Sequence, residues 1–212
     1  MGKREVRNTN SQLEIRASEG KKNVIGGIAA VVNSVTDLGY FKEKIAPGAF
    51  DDCLSNDIRC LFNHDEKLIL ARTKSKTLKV WVDTSTGNLM YEFEVPKRSY
   101  AIDLLDSVTS GDIDQSSFAF TVKKESFIFG ENGELDTRII EKIDKLYDVS
   151  PVTFPAYQDT EVGSRSIAEA RNQNKKEDKK EEAAEEENKP AEITKEEQNL
   201  IEAKLKLVQL QL

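Results

Sequence analysis

Histidine is almost absent from this sequence, His64 being the only one in 212 residues. Any general base built on an imidazole must therefore be that residue. Cysteine is nearly as scarce. Cys53 and Cys60 can form at most one bridge, and with nothing pointing to secretion they are expected to be reduced, partly buried thiols. Together with one histidine they supply too few soft ligands for a structural zinc site unless carboxylates complete it. No metal and no cofactor are expected. Long apolar runs are missing too, since no stretch approaches the ~20 residues of a membrane span. Met1-Gly2-Lys3-Arg4-Glu5 is followed by no apolar stretch of a signal peptide. The expectation is a soluble, cytosolic protein without membrane contact. Positive charge is also in deficit. A formal net charge of −7 leaves no obvious source for the phosphate neutralisation that dominates nucleic-acid affinity, so nucleic acid is not an expected partner.

What is present suits one globular domain with a polar appendage. The chain is 38% hydrophobic and 33% charged, and the apolar residues thin out after Arg171. The reading is a flexible N-terminal segment over 1–22, a folded domain over 23–168, a charged linker over 169–192 and an amphipathic C-terminal helix over 193–212. The linker is rich in Lys, Glu, Asp and Ala and lacks aromatics, so it cannot build a core. In the last segment Ile193, Leu200 and Leu207 recur every seven residues with Ala203 and Leu210 between them, a stripe fit for a partner groove or for self-association.

Within the domain, Asn23–Val32 reads as a buried central strand whose glycines mark a bulge or a close backbone approach. Ala46-Pro47-Gly48 marks a turn, after which Phe50–Leu54 can begin a short helix, and Ile58–Asn63 is again strand-like. Leu78–Val82 and Leu89–Val95 alternate apolar and polar residues around the hairpin turn Thr86-Gly87-Asn88. Ser99–Thr109 carries Ile102, Leu105 and Val108 at helical spacing and ends at Gly111. Ser117–Val122, Arg138–Ile140 and Lys145–Thr153 are further strands. The predicted fold class is α+β, mainly an antiparallel β-barrel, closed or nearly so, with flanking helices.

His64 stands at the exit of the Ile58–Asn63 strand, where a side chain can leave the core; a partly buried structural histidine is the alternative. A base needs a nucleophile, and serines are common. In Gln115–Val122, period-two alternation puts Phe118, Phe120 and Val122 on one face and Ser117, Ala119 and Thr121 on the other. The second face has small neighbours that leave room for a peptide, whereas Ser116 has the parity of the phenylalanines. Ser117 is therefore the better candidate, with an ordinary strand serine as the alternative. A carboxylate commonly orients such an imidazole. Asp148 lies in the strand expected over Lys145–Thr153, with Leu146 and Ser150 sharing its parity, and Asp65 and Glu66 compete for the role.

Five segments in order carry a resemblance: Ile25-Gly26-Gly27-Ile28-Ala29-Ala30-Val31, Ile45-Ala46-Pro47-Gly48-Ala49-Phe50, Phe62-Asn63-His64-Asp65, Gly111-Asp112-Ile113 through Ser117-Phe118-Ala119-Phe120, and Asp148 through Tyr157. Together, over about Val24 to Arg165, they resemble the caudoviral prohead serine protease family. The resemblance implies a fold similar to the herpesvirus assembly protease, a β-barrel ringed by helices. It implies a serine endopeptidase acting inside the procapsid in the host cytoplasm, on scaffold protein or the scaffolding segment of the major capsid protein, and on itself. It carries His64 over as base and Ser117 as nucleophile. The family has an acidic residue, more often Glu than Asp, where Asp148 stands. Ala119 stands where the family often has Gly, and Gln115-Ser116 where Gly-Met is frequent; both replacements stay small or flexible. Two other readings compete. One is a non-catalytic capsid-assembly or scaffold module, and the other a metal-dependent hydrolase using His64, Asp65 and Glu66.

Overall fold

Alternation builds most of the sheet, as in Leu89–Glu94, where Leu89, Tyr91 and Phe93 are buried and the residues between them are not. The computed structural model describes residues 3–9, 13–16, 23–154 and 160–187. Its elements in chain order begin with β1 (Glu5–Thr9), β2 (Glu14–Arg16), β3 (Val24–Ala30), β4 (Val35–Asp37), β5 (Lys42–Ile45) and β6 (Arg59–Phe62). They continue with β7 (Asp65–Arg72), β8 (Leu78–Val82), β9 (Leu89–Glu94), α1 (Ser99–Ser110), β10 (Gln115–Ile128), β11 (Thr137–Val152) and α2 (Thr160–Glu187). Met1–Ala170 form one compact unit and Arg171–Leu212 another. The heptad segment 193–212 lies outside the described residues.

The described strands form two sheets rather than the expected closed or nearly closed barrel. One has seven strands, with the order β1-β10-β11-β5-β4 and with β6 joining β11 to β7; the other has four, in the order β2-β3-β9-β8. Closure needs every edge to find a ladder partner. Here the described strands of the two sheets share no ladder and pack through side chains, among them Ile25, Tyr91 and Phe93 from the smaller and Phe118, Phe120 and Ile143 from the larger. Phe118 stacks on Phe120 with ring centroids 4.9 Å apart, and meets Phe50 edge-on at 5.9 Å.

Several expectations hold in detail. β3 is interior to its sheet, with an irregularity between Ile28 and Ala30. A Cβ at Gly26 would come within 2.6 Å of the Tyr91 carbonyl oxygen, so only glycine allows the strands to meet there. α1 ends at Gly111 in the left-handed region, φ 82°, its amide reaching the carbonyls of Ser107 and Val108. Other expectations need correction. Phe50–Leu54 is a run of turns, not a helix. Arg138–Ile140 and Lys145–Val152 are parts of one strand of 16 residues, because Ile143 is buried in the polar stretch between them and irregularities in the pairing with β10 absorb its change of parity. The segment expected to be flexible over 1–22 contributes β1 and β2.

β1 was hidden by its charges. Glu5 and Arg7 are polar, yet both are buried, because they complete an ion cluster with Glu43, Glu125 and Arg138. Arg138 donates to Glu5 at 2.6 and 2.9 Å, to Glu43 at 3.0 Å and to Glu125 at 2.6 Å, while Arg7 donates to Glu43 and Glu5. Burial works against the Arg138 charge, but the bond to Glu5 and the charges of Glu5, Glu43 and Glu125 outweigh it and hold its pKa above the ordinary value. Removing one partner from such a cluster strands the others. Arg138→Met is therefore expected to cost about 3–5 kcal/mol, read as a fall in the urea midpoint at unchanged slope. A loss under about 1 kcal/mol would show that the carboxylates find water or protons instead.

Candidate active site

The strand β6 ends at Phe62, and β7 begins at Asp65, opposite it in the ladder. Between them Asn63 and His64 have φ of 54° and 57°. Two consecutive left-handed residues in a two-residue loop are the pattern of a type I′ hairpin turn, for which asparagine is a favoured first residue. Histidine is one of the few non-glycine residues enriched in that region. The tip is held from outside as well. The Asn63 amide N–H donates to the Pro151 carbonyl at 3.0 Å, its Oδ1 accepts from the Thr153 amide at 2.8 Å, and its Nδ2 donates to Thr153 Oγ1 at 3.1 Å.

These bonds tie the hairpin to the end of β11, with which β6 runs parallel, Asp148 beside Arg59 and Val149 beside Cys60. On its other side β11 pairs with β10, placing Ser117 opposite Ser150 and Ala119 opposite Asp148. Parity then brings three side chains to one face. His64 Nε2 lies 2.6 Å from Ser117 Oγ, and Nδ1 lies 2.5 Å from Asp148 Oδ1. Ser117 and Asp148 are buried, and the His64 side chain is 15% exposed.

The carboxylate is held from three sides. Ser150 donates to its Oδ1 at 2.7 Å, and the Arg4 guanidinium reaches its Oδ2 at 2.6 Å. With the imidazole on Oδ1, both oxygens are engaged, and the aspartate is long enough to reach the ring. Neighbouring candidates point elsewhere. Asp65 Oδ1 accepts from the Lys67 amide, and Glu66 is exposed, 3.7 Å from Arg4. Among the described residues no group of three or more His, Cys, Asp or Glu side chains is arranged to hold a metal ion. Ser116 lies on the opposite face, its hydroxyl 2.8 Å from that of Tyr91. Cys60 packs beneath, where burial and then the charge of Asp148 push its thiol pKa well up. The burial of Cys53 raises its thiol to about 12. Neither thiol is a competing nucleophile.

A family model described as caudovirus prohead serine protease matches residues 11–175. The chain belongs to that family. Serine protease activity is a family-level property, and phage capsid maturation is its setting. Among solved structures, the bacteriophage T4 capsid assembly protease, gp21, is similar at a TM-score of 0.43 and 13% identity, covering 70% of this chain and 96% of that one. No curated protein matches the chain. Three contributors around the cluster of Ser117, His64 and Asp148 were not read from the sequence: Arg4, Ser150 and the main chain of β1, whose Arg7 carbonyl oxygen accepts a bond from Ser117 Oγ at 2.9 Å. Ser150 had a signal, its shared parity with Asp148. Arg4 and β1 had none, because their charges concealed a strand.

Proposed function

We propose that the chain is a serine endopeptidase in which Ser117 is the nucleophile, His64 the base and Asp148 the group that orients the imidazole. The observation that carries this reading is the unbroken sequence of contacts from Ser117 Oγ through both ring nitrogens of His64 to Asp148. Asp148 fixes the tautomer with a proton on Nδ1, leaving Nε2 to take the serine proton as Oγ attacks the scissile carbonyl carbon. The imidazolium formed is stabilised by the aspartate charge and then protonates the leaving amine. Water, deprotonated by the same ring, resolves the acyl-enzyme.

The substrate in this reading is scaffold protein, or the scaffolding segment of the major capsid protein, cut inside the procapsid in the host cytoplasm. Self-cleavage is part of it, as is a fold akin to that of the herpesvirus assembly protease. Residues 193–212 serve self-association or docking to capsid partners, on the strength of the heptad stripe alone. No described helix is long and apolar enough to cross a membrane. Prolonged incubation with a fluorophosphonate is expected to place one phosphonyl group on the peptide containing Ser117, with or without chelator. A chain left unlabelled, in a preparation that binds capsid precursors without shortening them, would point to an assembly module rather than an enzyme.

A further inference from the structure

Two amide side chains beside Ser117 end in oxygens that no donor meets. Asn8 stands directly opposite Ser117 in the β1–β10 ladder, and Gln115 lies two residues before it on the same strand. Direct pairing and a spacing of two both keep side chains on one face, so all three project the same way. A directly paired residue has its Cα about 4.5–5.5 Å away, and two residues of strand span about 6.5 Å. Both residues are half-buried, and their oxygens, Asn8 Oδ1 and Gln115 Oε1, are wholly buried without a hydrogen-bond partner among the described residues. A buried acceptor left empty is destabilising, and native proteins rarely leave one.

The donors nearby are committed elsewhere. The Ser117 hydroxyl has the Arg7 carbonyl oxygen at 2.9 Å and His64 Nε2 at 2.6 Å, and Ser150 donates to Asp148. Arg4 is turned to that same carboxylate, and its Nε, itself unpartnered among the described residues, meets neither amide oxygen. Ser116 faces Tyr91 on the other side of the strand.

We propose that Asn8 and Gln115 form a specificity subsite for the residue whose carbonyl Ser117 attacks, and that this residue carries a side-chain amide. The proposal deepens the reading of Ser117 as nucleophile and rests on it. With the scissile carbonyl carbon within about 3–3.5 Å of Oγ, the side chain of its residue begins two bonds further on, in reach of both oxygens.

The class of side chain follows from the count of donors. An amide NH2 carries two hydrogens, one for each oxygen, whereas an apolar side chain leaves both oxygens empty. A carboxylate brings no donor and sets negative charge against two carbonyl dipoles. An ammonium brings donors with an unbalanced charge, because Asp148, the carboxylate on this face, already holds Arg4 and His64. Shielding from water makes the discrimination steeper, since no solvent competes for the same hydrogen bonds.

Amino-acid diphenyl phosphonates test the subsite, because Ser117 Oγ displaces phenoxide from phosphorus while one chosen side chain is presented beside it. The full chain is treated with the glutamine, norleucine, glutamate and lysine analogues, and modification of Ser117 is timed by mass spectrometry. The glutamine analogue is expected to react at least about tenfold faster than the norleucine one, with glutamate and lysine no faster than norleucine. Gln115→Leu should lower the glutamine-to-norleucine ratio by about tenfold, and Asn8→Leu likewise. The ratio is taken within each variant, so a general loss of folded protein cancels. Equal rates for glutamine and norleucine in the unmodified chain, a ratio that neither substitution changes, or a faster glutamate or lysine analogue overturns the subsite. So does modification of Ser117 by a small fluorophosphonate but by none of the four analogues, which leaves the nucleophile in place. Ser117 left unmodified by every one of these reagents overturns the assignment of Ser117 itself.

Discussion

Ser117→Ala is expected to lower precursor cleavage by about a million-fold, and His64→Ala by a similar factor, with no further loss when the two are combined. The reasoning starts from scarcity. His64 is the only histidine, so no second imidazole can take over the proton. The neighbouring serine cannot substitute for the nucleophile either, because Ser116 is buried on the opposite face against Tyr91. Cys60, the thiol nearest to Asp148 in the strand pairing, is held neutral by burial and by that aspartate. Residual activity should then come only from binding and from whatever donors polarise the scissile carbonyl, roughly 10³–10⁴ over water. Because the two residues act as a unit, the double variant is the informative one. Additive losses, measured as kcat/KM on a purified precursor, would sink the idea of a shared proton path.

The site was far more legible in the sequence than its surroundings. Uniqueness named His64, and period-two parity separated Ser117 from Ser116, two adjacent residues that composition treats alike. Parity works here because the two buried faces of β10 differ, and a slip of one residue would exchange Phe118 and Phe120 for Ser117 and Ala119 against the core. Asp148 had to be weighed against Asp65 and Glu66, since sequence proximity to His64 favours those two. In the fold the ring meets Asp148 instead. A two-residue loop with both residues left-handed turns the His64 ring toward β11, while Asp65 is already pairing in β7.

The elements that escaped notice are those whose local sequence contradicts their surroundings. β1 reads as Glu-Val-Arg-Asn-Thr, with the charged residues inside, the reverse of an amphipathic strand. Its burial makes sense only once Glu43 and Arg138 are present, and these come from β5 and β11. A pattern of one strand cannot reveal partners supplied by strands far along the chain. The barrel expectation failed for a related reason. Strand number and alternation fix which residues face a core, and both packed sheets and closed barrels satisfy them; the ladder that would close the structure depends on edge pairing, which alternation does not encode. Arg138 shows the dependence most directly: taking it away leaves Glu5, Glu43 and Glu125, from three different strands, without their shared cation.

Asp148→Asn should leave the protein folded and lower kcat by about 10⁴-fold with little change in KM. The replacement is nearly isosteric, so the loss must come from its hydrogen-bonding pattern. Asp148 accepts on both oxygens, from Ser150 and the imidazole on Oδ1 and from Arg4 on Oδ2. Asparagine has one oxygen and one amide, and Arg4 can only donate. Its guanidinium claims the oxygen, which turns the amide nitrogen toward His64 Nδ1. That nitrogen must then be the acceptor, the ring proton moves to Nε2, and Nε2 can no longer take the proton of Ser117. If this is the cause, replacing Arg4 with methionine in the Asp148→Asn background frees the amide to turn back and recovers part of the lost kcat. A loss below about tenfold in Asp148→Asn would leave a Ser117–His64 pair working without an orienting carboxylate. A full loss that Arg4→Met does not relieve would assign it to the missing negative charge alone.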